Sequence, residues 1–249
     1  MAHNPYESDR LVREYLLFHY GSEEEILPWP GGPCAALDFA VRSVAELLDL
    51  PSLPLDARAL DAGCAVGRAS FELARHCREV IGLDYSRSFI TAAAEVARQG
   101  SLDYDYAIEG DRTARATALR PRGIDPARVA FETGDAMALR GDLGTFDVVL
   151  AANLLCRLPD PRKFLARLPS LLRPGGQFLL TTPFSWLGEY TPRDAWIGGG
   201  GDATCARALQ ELLSPHFTLE REKDLPFLIR EHARKYQWSV AWGTRWRKK

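Results

Sequence analysis

The amino-acid sequence predicts an α/β protein built on a doubly wound, mostly parallel sheet of seven strands. From Ala57 onward, short apolar runs alternate with amphipathic stretches of helical period. This is the pattern of parallel strands joined by right-handed crossovers. The first and fourth runs are apolar almost throughout, as expected of strands buried on both faces. The last two runs leave no room for a helix between them, which predicts an antiparallel strand at one edge.

The residues before the sheet, 1–56, predict a helical extension. The stretch "SDRLVREYLLFHYG" carries apolar residues at helical spacing and predicts a first helix. After the break at "ILPWPGGP", a second helix is predicted from about Ala36 to Leu50. We expect this extension to form part of a substrate pocket or lid over the domain at residues 57–249.

The sheet region has a regular order with one interruption. Residues 100–128 are polar and break the alternation, so they predict an inserted lobe. The stretch Pro161–Leu172 and the segment "DATCARALQELLSP" predict helices between later strands. The predicted strands are, in order, "ARALDAG", "EVIGLD", "RVAFETGD", "FDVVLAANLL", "QFLLTTP", "FTLEREKDL" and "QWSVAWGTRW".

Composition excludes several classes of protein. The chain has 249 residues, 46% of them hydrophobic, and a net charge of -2, so a nucleic-acid partner is disfavoured. No apolar run approaches the roughly 20 residues that span a bilayer, and the N-terminus lacks the layout of a secretion signal. Five cysteines without a CxxC or HxxxH pair favour a reduced, cytoplasmic protein without a metal site. We expect a small-molecule substrate.

The turn after the first strand carries the pattern Asp-x-Gly-x-x-x-Gly, with Asp61, Gly63 and Gly67. A nicotinamide dinucleotide fingerprint would need glycine where the chain has Ala65 and Arg68. A pyrophosphate binds backbone N–H groups at a helix N-terminus, and an acid before the turn disfavours it. S-adenosylmethionine, which has an ammonium, a sulfonium and a ribose but no phosphate, fits this pattern better.

Other strand ends complete a cofactor-binding hypothesis. Asp84 ends the second strand, where a carboxylate can accept both ribose hydroxyls, and Asp135 follows the third, where it can accept from the adenine amino group beside Ala136. Cys64 and Tyr85 lie in the first two of these turns. Each acid also has a simpler interpretation, as a helix cap or a turn residue. Their joint placement at successive strand ends favours the site.

These motifs resemble those of the class I S-adenosylmethionine-dependent methyltransferases. The resemblance covers about residues 57–183, more loosely the C-terminal strands, and implies the cofactor but not the methyl acceptor. The segments that carry it are "LDAGCAVG", "VIGLDYS", "FETGDAMAL", "FDVVLAANLLCRLPDP" and "LLRPGGQFLLTTP".

The flanking segments are similar to one group, the mercaptohistidine N-methyltransferases of ovothiol biosynthesis. In larger ovothiol synthases this domain is fused to an iron-dependent sulfoxide synthase module, which nothing here resembles, so the stand-alone form is implied. The glycine run at 198–201 departs from the group. The resemblance implies mercaptohistidine (thiohistidine) as the acceptor and is carried by "NPYESDRLVREYLLFHYG", "ILPWP", "ANLLCRLPDP", "TTPFSWLGEYTPRDAWIGG" and "FLIREHARKYQWSVA".

The segment "LIREHARKYQW" provides candidates for contacting that acceptor. Its carboxylate suits an arginine fork, and on a helix Arg230 and Arg234 would share a face. We interpret Arg230 as substrate-binding, and Glu231 and His232 as catalytic residues that hold the ring N–H on the non-attacking side. The alternative, a solvated amphipathic segment, is the interpretation we favour for Arg234.

Polar and aromatic residues elsewhere add to these candidates. Asn153 lies just past the fourth strand, and its side chain can donate and accept, so it is a candidate for catalysis and for cofactor contact. A helix cap is the alternative. Tyr6, Tyr20 and Tyr236 are interpreted as substrate-binding residues, of which Tyr6 and Tyr20 would wall the imidazole, although aromatic residues at helical spacing more often belong to the core.

The expected reaction is an in-line displacement at the sulfonium methyl, for which catalysis is mostly positioning. The ring sulfur is intrinsically the better nucleophile, so nitrogen methylation requires an orientation that points it away. Three alternatives remain at this point: a methyltransferase for another amino-acid-like or amine acceptor, a non-catalytic S-adenosylmethionine-binding protein, and a nicotinamide-dependent dehydrogenase. Oligomeric state and the choice of ring nitrogen are left open.

Overall fold

A computed structural model describes residues 4–200 and 203–249 of the chain. The helices are α1 (Asp9–Tyr20), α2 (Glu23–Ile26), α3 (Phe39–Ala45), α4 (Arg68–Ala74), α5 (Arg87–Gln99), α6 (Pro161–Leu171) and α7 (Cys205–Leu213). The strands are β1 (Arg58–Ala62), β2 (Glu79–Asp84), β3 (Ser101–Glu109), β4 (Arg112–Leu119), β5 (Val129–Thr133), β6 (Phe146–Ala152), β7 (Leu172–Thr182), β8 (Phe217–His232) and β9 (Lys235–Lys248).

Seven strands form one sheet in the order β5-β2-β1-β6-β7-β9-β8. The five strands from β5 to β7 pair in parallel, whereas β9 is antiparallel to both β7 and β8. The predicted fold class is therefore confirmed. The antiparallel strand lies one position in from the edge, because β8 occupies the edge and β9 folds back between β8 and β7.

Two apolar layers cover the sheet because successive strand side chains point to opposite faces. One layer contains Phe39 of α3, Phe71 of α4 and Val96 of α5, packed against alternate strand residues such as Ala59. The other contains α6 and α7 side chains, packed against the intervening residues such as Leu60. Burial on both faces explains why β1 and β6 are apolar along most of their length.

The second helix is shorter than predicted. The structure has α3 at Phe39–Ala45, with one 3₁₀ turn before it (Cys34–Ala36) and one after it (Leu50–Ser52). Apolar spacing alone did not show this end, because Leu47 and Leu48 remain buried outside the helix.

Residues 225–241 form a β-hairpin arm, so the condition under which Arg230 and Arg234 would share a helix face is not met. Pairing of β9 with β7 ends at Trp242, but its pairing with β8 continues to Lys235. Arg230 pairs with Tyr236 across the arm, and Arg234 lies in the turn. The interpretation of the two arginines considered their spacing in the sequence. The conformation of the segment is instead set by backbone hydrogen bonding between β8 and β9.

The polar insertion also forms a hairpin, in which β3 and β4 make a separate two-stranded sheet. This hairpin meets the β8–β9 arm, since the Ala233 N–H donates to the Ile108 carbonyl at 3.0 Å. Helix α1 contacts both ribbons and the start of α5. Among the described residues, no helix is long and apolar enough to cross a membrane.

Candidate active site

The candidate site lies at the carboxyl ends of the parallel strands, where strand order reverses. In this sheet β1 has β2 on one side and β6 on the other, so the reversal falls between β1 and β6. Ligands of doubly wound sheets bind in the crevice at such a point. The turns that follow β1, β2, β5 and β6 meet there, and they contain most of the sequence-predicted cofactor residues.

The turn after β1 has the backbone that its glycines predict. Gly63 and Gly67 have φ values of +78° and +86°, in the region that side chains rarely adopt. An added β-carbon at Gly67 would lie 2.5 Å from the Phe131 ring, and one at Gly63 would lie 2.9 Å from the Leu154 side chain. Both glycines therefore serve packing as well as turn geometry, and Gly63 keeps the turns after β1 and β6 in contact.

Ala65 stands where a left-handed conformation is needed, with a φ of +48°. Its N–H donates to Asp84 Oδ2 at 2.9 Å, which ties the first turn to the end of β2. Such strain in a non-glycine residue persists where surrounding contacts hold it, often at functional sites. Cys64 beside it is buried, and burial raises the pKa of its thiol well above the usual value, so it acts as a packing residue.

Asp61 is a buried acid with one unpaired oxygen. Its side chain is 1% exposed, and the Ser70 hydroxyl donates to Oδ2 at 2.6 Å. Oδ1 has no hydrogen-bond partner among the described residues. Burial raises the pKa of Asp61 to about 7, against the lowering effect of Ser70, and the charge of Asp84 raises it further. An orphaned carboxylate oxygen at this depth suits the ammonium end of a ligand, as the sequence predicted.

Asp84 is held by two backbone donors at the end of β2. Its carboxylate accepts the Ala65 N–H on Oδ2 and the Ser86 N–H on Oδ1, the latter at 2.8 Å. Burial raises the pKa of Asp84 to about 6, against the lowering effect of these donors. Each oxygen keeps lone-pair capacity for a ribose hydroxyl. The adjacent Tyr85 side chain is 67% exposed, so among the cofactor candidates it offers backbone atoms rather than a buried ring.

Asp135 and Ala136 follow β5 on the far side of β2. Asp135 Oδ1 accepts the Met137 N–H at 2.8 Å and caps a short 3₁₀ turn, so the capping interpretation holds for this oxygen. Its other oxygen has no protein partner among the described residues and could accept from an adenine amino group. Ala136 is buried at 6% exposure.

Asn153, directly after β6, is a second strained residue in the crevice, with a φ of +54°. Its N–H donates to the Thr181 carbonyl at 2.9 Å, and the Thr181 hydroxyl donates to Asn153 Oδ1 at 3.0 Å. These contacts fix the amide and leave Nδ2 without a partner among the described residues. Asn153 can therefore present a donor to a bound molecule.

Two residues that the sequence interpretation missed lie beside this crevice. Arg157 Nε donates to the Tyr6 hydroxyl at 3.1 Å, and Arg157 Nη1 donates to the Ser185 carbonyl at 3.1 Å. The guanidinium lies 5.0 Å from the centre of the Tyr190 ring. The segments "ANLLCRLPDP" and "TTPFSWLGEYTPRDAWIGG" contain both residues, but neither stood out by spacing.

The arm residues gather in a different place. Arg230, Glu231 and His232 line a cavity of about 450 Å³ together with the Arg13 and Glu14 side of α1 and residues of β3 and β4. Another side of α1 faces the crevice, where the Tyr15 ring lies 4.8 Å from Phe89; burial raises the pKa of Tyr15, and the Asp84 carboxylate raises it further. Helix α1 therefore stands between this cavity and Asp84, and the structure does not bring the two groups together.

Each of the three arm side chains already has protein partners. Buried Arg230 donates to the backbone carbonyls of Glu25 and Ala107. Glu231 forms an ion pair with Lys235 at 2.7 Å, and His232 Nδ1 accepts the Arg234 N–H at 3.3 Å. These contacts hold the arm to α2, to the hairpin and to its own turn.

The three predicted pocket tyrosines also separate. The Tyr20 hydroxyl donates to the Val66 carbonyl at 2.8 Å, so it fastens α1 to the glycine turn. Tyr236 donates to the Ala233 carbonyl at 2.9 Å inside the arm. Of the three, only Tyr6 lies beside the crevice, with its ring centre 6.1 Å from that of Tyr190.

Comparison with known proteins agrees with this geometry. Residues 60–178 match the family described as "Methyltransferase domain". Ubiquinone biosynthesis O-methyltransferases from Coxiella burnetii and Cereibacter sphaeroides are 28% and 32% identical over 123 and 154 residues, covering 49% and 60% of this chain. The chain spans about half the length of these curated relatives, 42% and 52%.

The N-methyltransferase NodS from Bradyrhizobium japonicum, solved in complex with S-adenosyl-L-homocysteine, has a related fold. Its TM-score is 0.52 at 16% identity, with 95% of this chain and 98% of NodS covered. Residues 60–178, just under half of the chain, are thus similar to a methyltransferase domain whose methyl donor is S-adenosylmethionine, on a fold that NodS shares. Asp61, Asp84 and the glycine turn fit the ammonium and ribose of that cofactor.

Proposed function

We propose that this protein is an S-adenosylmethionine-dependent N-methyltransferase whose acceptor is the imidazole nitrogen of mercaptohistidine. The proposal combines the methyltransferase domain with the resemblance of the flanking segments to the ovothiol group. The structural observation that supports it is a half-buried arginine, Arg157, which contacts aromatic rings and lies in the same segment after β6 as Asn153. An acceptor of amino-acid type needs such a cation for its carboxylate and such rings for its imidazole.

Arg157 has capacity for that carboxylate. Its Nε and Nη1 atoms donate to Tyr6, Ser185 and the Cys156 carbonyl, whereas Nη2 has no partner among the described residues. A charge-assisted hydrogen bond to a carboxylate is stronger than a neutral one. The fixed guanidinium can therefore receive the acceptor without reorganising, in place of the arm residue Arg230.

Asn153 can orient the acceptor ring. When bound, S-adenosylmethionine supplies an electrophilic methyl group on a sulfonium. The unpaired Asn153 Nδ2–H groups can donate to the ring sulfur, which is an acceptor when ionised, and so turn it away from the cofactor. Thr181 fixes the amide that does this. In this arrangement Glu231 and His232, which lie across α1, take no part in holding the ring.

A phenolic acceptor is the second candidate, because the named relatives are O-methyltransferases of quinone biosynthesis. Mercaptohistidine and a phenolic acceptor are distinguished by incubating the purified protein with S-adenosylmethionine and one candidate acceptor at a time. The candidates are mercaptohistidine, histidine and a catechol. We expect methylated mercaptohistidine whose fragmentation places the methyl on nitrogen. Turnover of the catechol with none of mercaptohistidine would overturn the proposal, and turnover of no acceptor would favour a cofactor-binding protein without catalysis.

Replacement of Arg157 tests the acceptor site. We expect Arg157→Ala to raise the acceptor KM about tenfold or more, because a hydrogen bond to a charged group contributes about 1.5–3 kcal/mol. The cofactor Kd, measured by calorimetry, changes less than about threefold. Arg207→Ala, which removes a surface ion pair with Glu211, is the matched control and leaves both constants unchanged. An unaltered KM in Arg157→Ala would refute this role.

Replacement of Asn153 tests the orientation of the ring. Asn153→Gly keeps the positive φ without strain, so we expect a folded protein whose products shift from N-methyl towards S-methyl mercaptohistidine. Fragmentation of the products measures this ratio. Asn153→Ala, which lacks the amide and also strains the turn, gives the same shift with lower thermal stability. A purely N-methylated product from both variants would contradict the proposed contact.

A further inference from the structure

Residues 4–8 form a clasp across the mouth of the crevice, fastened at the start of α5. The Glu7 carboxylate accepts the N–H groups of Arg87 and Ser88 at 2.9 and 3.2 Å and the Ser88 hydroxyl at 2.8 Å. The first-turn N–H groups of a helix lack partners within the helix, and its dipole favours a negative charge there. These donors lower the pKa of the Glu7 carboxyl, which keeps the fastening charged.

Tyr6, next to Glu7, joins the two sides of the crevice. Its carbonyl accepts the Ser86 hydroxyl at 2.9 Å, and the N–H of that serine donates to Asp84. Its own hydroxyl accepts from Arg157 Nε. One residue therefore connects the acid that would hold the ribose with the arginine that would hold the acceptor.

Aromatic packing holds Tyr6 in this position. Its ring lies 5.7 Å from Phe89, 6.0 Å from Tyr15 and 6.1 Å from Tyr190, at tilted or edge-on angles that aromatic pairs prefer. Phe89 belongs to α5 and Tyr190 to the loop after β7, so the ring again contacts both sides. After Tyr6, the solvent-exposed Glu7 contacts tie the clasp to α5, and Ser8 joins it to α1 by accepting the Leu11 N–H at 3.4 Å.

We propose that Glu7 is a positioning residue, which fastens residues 4–8 to α5 so that Tyr6 closes the crevice and assembles the cofactor and acceptor subsites together. The role of the acceptor subsite rests on the proposed function, whereas closure over the cofactor does not. Release of S-adenosylhomocysteine then requires the clasp to open. Because the fastening is an exposed charge contact, salt weakens it.

The test compares Glu7→Ala with Glu24→Ala, an exposed acid of α2 that gives the same change in charge. We expect Glu7→Ala to raise the rate of S-adenosylhomocysteine release about fivefold or more in stopped-flow measurements and to raise the acceptor KM with little change in kcat. Glu7→Gln, which keeps an accepting oxygen, recovers part of the loss. Glu24→Ala behaves like the unmodified protein.

Release rates in Glu7→Ala equal to those of the unmodified protein would overturn the proposal. So would equal acceleration in Glu24→Ala, or an increase that follows a general loss of thermal stability in both Glu7 variants. Ser88→Ala, which removes the hydroxyl's two contacts to Glu7 but keeps the N–H donors, should produce a smaller increase in the same direction. The release measurement needs no acceptor, so it tests the clasp even if the enzyme methylates another molecule.

Discussion

Asp84→Ala is expected to raise the Kd for S-adenosylmethionine about a hundredfold. Two ribose hydroxyls would lose a charged acceptor, and hydrogen bonds to charged groups contribute about 1.5–3 kcal/mol each. The variant also removes the acceptor of the Ala65 and Ser86 N–H groups, so the strained glycine turn loses its tie to β2. Isothermal titration calorimetry with S-adenosylmethionine and with S-adenosylhomocysteine measures the effect.

Asp84→Asn separates these two contributions. The amide retains one accepting oxygen and the shape of the side chain, so the turn is better preserved while the charge is lost. We expect an intermediate Kd. Asp105→Asn, an exposed acid of β3, is the matched control and binds the cofactor normally. A cofactor Kd in Asp84→Ala within a factor of three of the original would show that the ribose is held elsewhere.

The sequence was sufficient to predict the parallel sheet and the residues at its carboxyl edge. This part of the fold depends on the strand–helix alternation and on buried strands, both of which are local patterns. The positions of Asp61, Asp84, Asp135 and Asn153 follow, because parallel strands bring their carboxyl ends to one edge. Nothing in the sequence pattern indicated that Asp61 would have an unpaired oxygen, since that depends on packing around it.

The proposed acceptor side was harder to predict because it is built by long-range contacts. Arg230 was chosen because a carboxylate suits an arginine fork and its segment precedes the last strand, but cross-strand pairing placed it in the arm, across α1 from the crevice. Arg157 had no distinctive spacing, and its importance appears only when Tyr6 and Tyr190 fold over it from distant segments. A resemblance can imply an acceptor, but it did not single out Arg157, to which the proposal assigns the acceptor carboxylate.

Asp61→Asn is expected to reduce the loss of stability between pH 5 and pH 8. In the cofactor-free protein, the free energy of unfolding should fall less over this range for the variant than for the unmodified chain. The pKa of Asp61 is raised from its ordinary value of 3.8 to about 7 in the folded protein, so the folded state binds the proton more tightly than the unfolded state. Folding stability from this group therefore falls as pH rises between those values and is lowest above pH 7. Asparagine does not titrate and lacks this penalty.

The shift of about 3 units corresponds to roughly 4 kcal/mol over the whole titration, and because part of this is already lost below pH 5, the expected change in the stability difference from pH 5 to 8 is about 2–3 kcal/mol. A buried asparagine leaves a donor or acceptor unpaired, which costs about 1–3 kcal/mol at every pH and so does not alter the comparison. Urea unfolding at both pH values measures this change in stability, and Asp135→Asn is the control.

Asp61→Asn should also weaken cofactor binding about tenfold or more, because the ligand ammonium loses its charged partner. If the difference in free energy of unfolding between the two proteins does not change with pH, Asp61 is ionised throughout this range. Its unpaired oxygen would then need a partner other than a proton or the ligand.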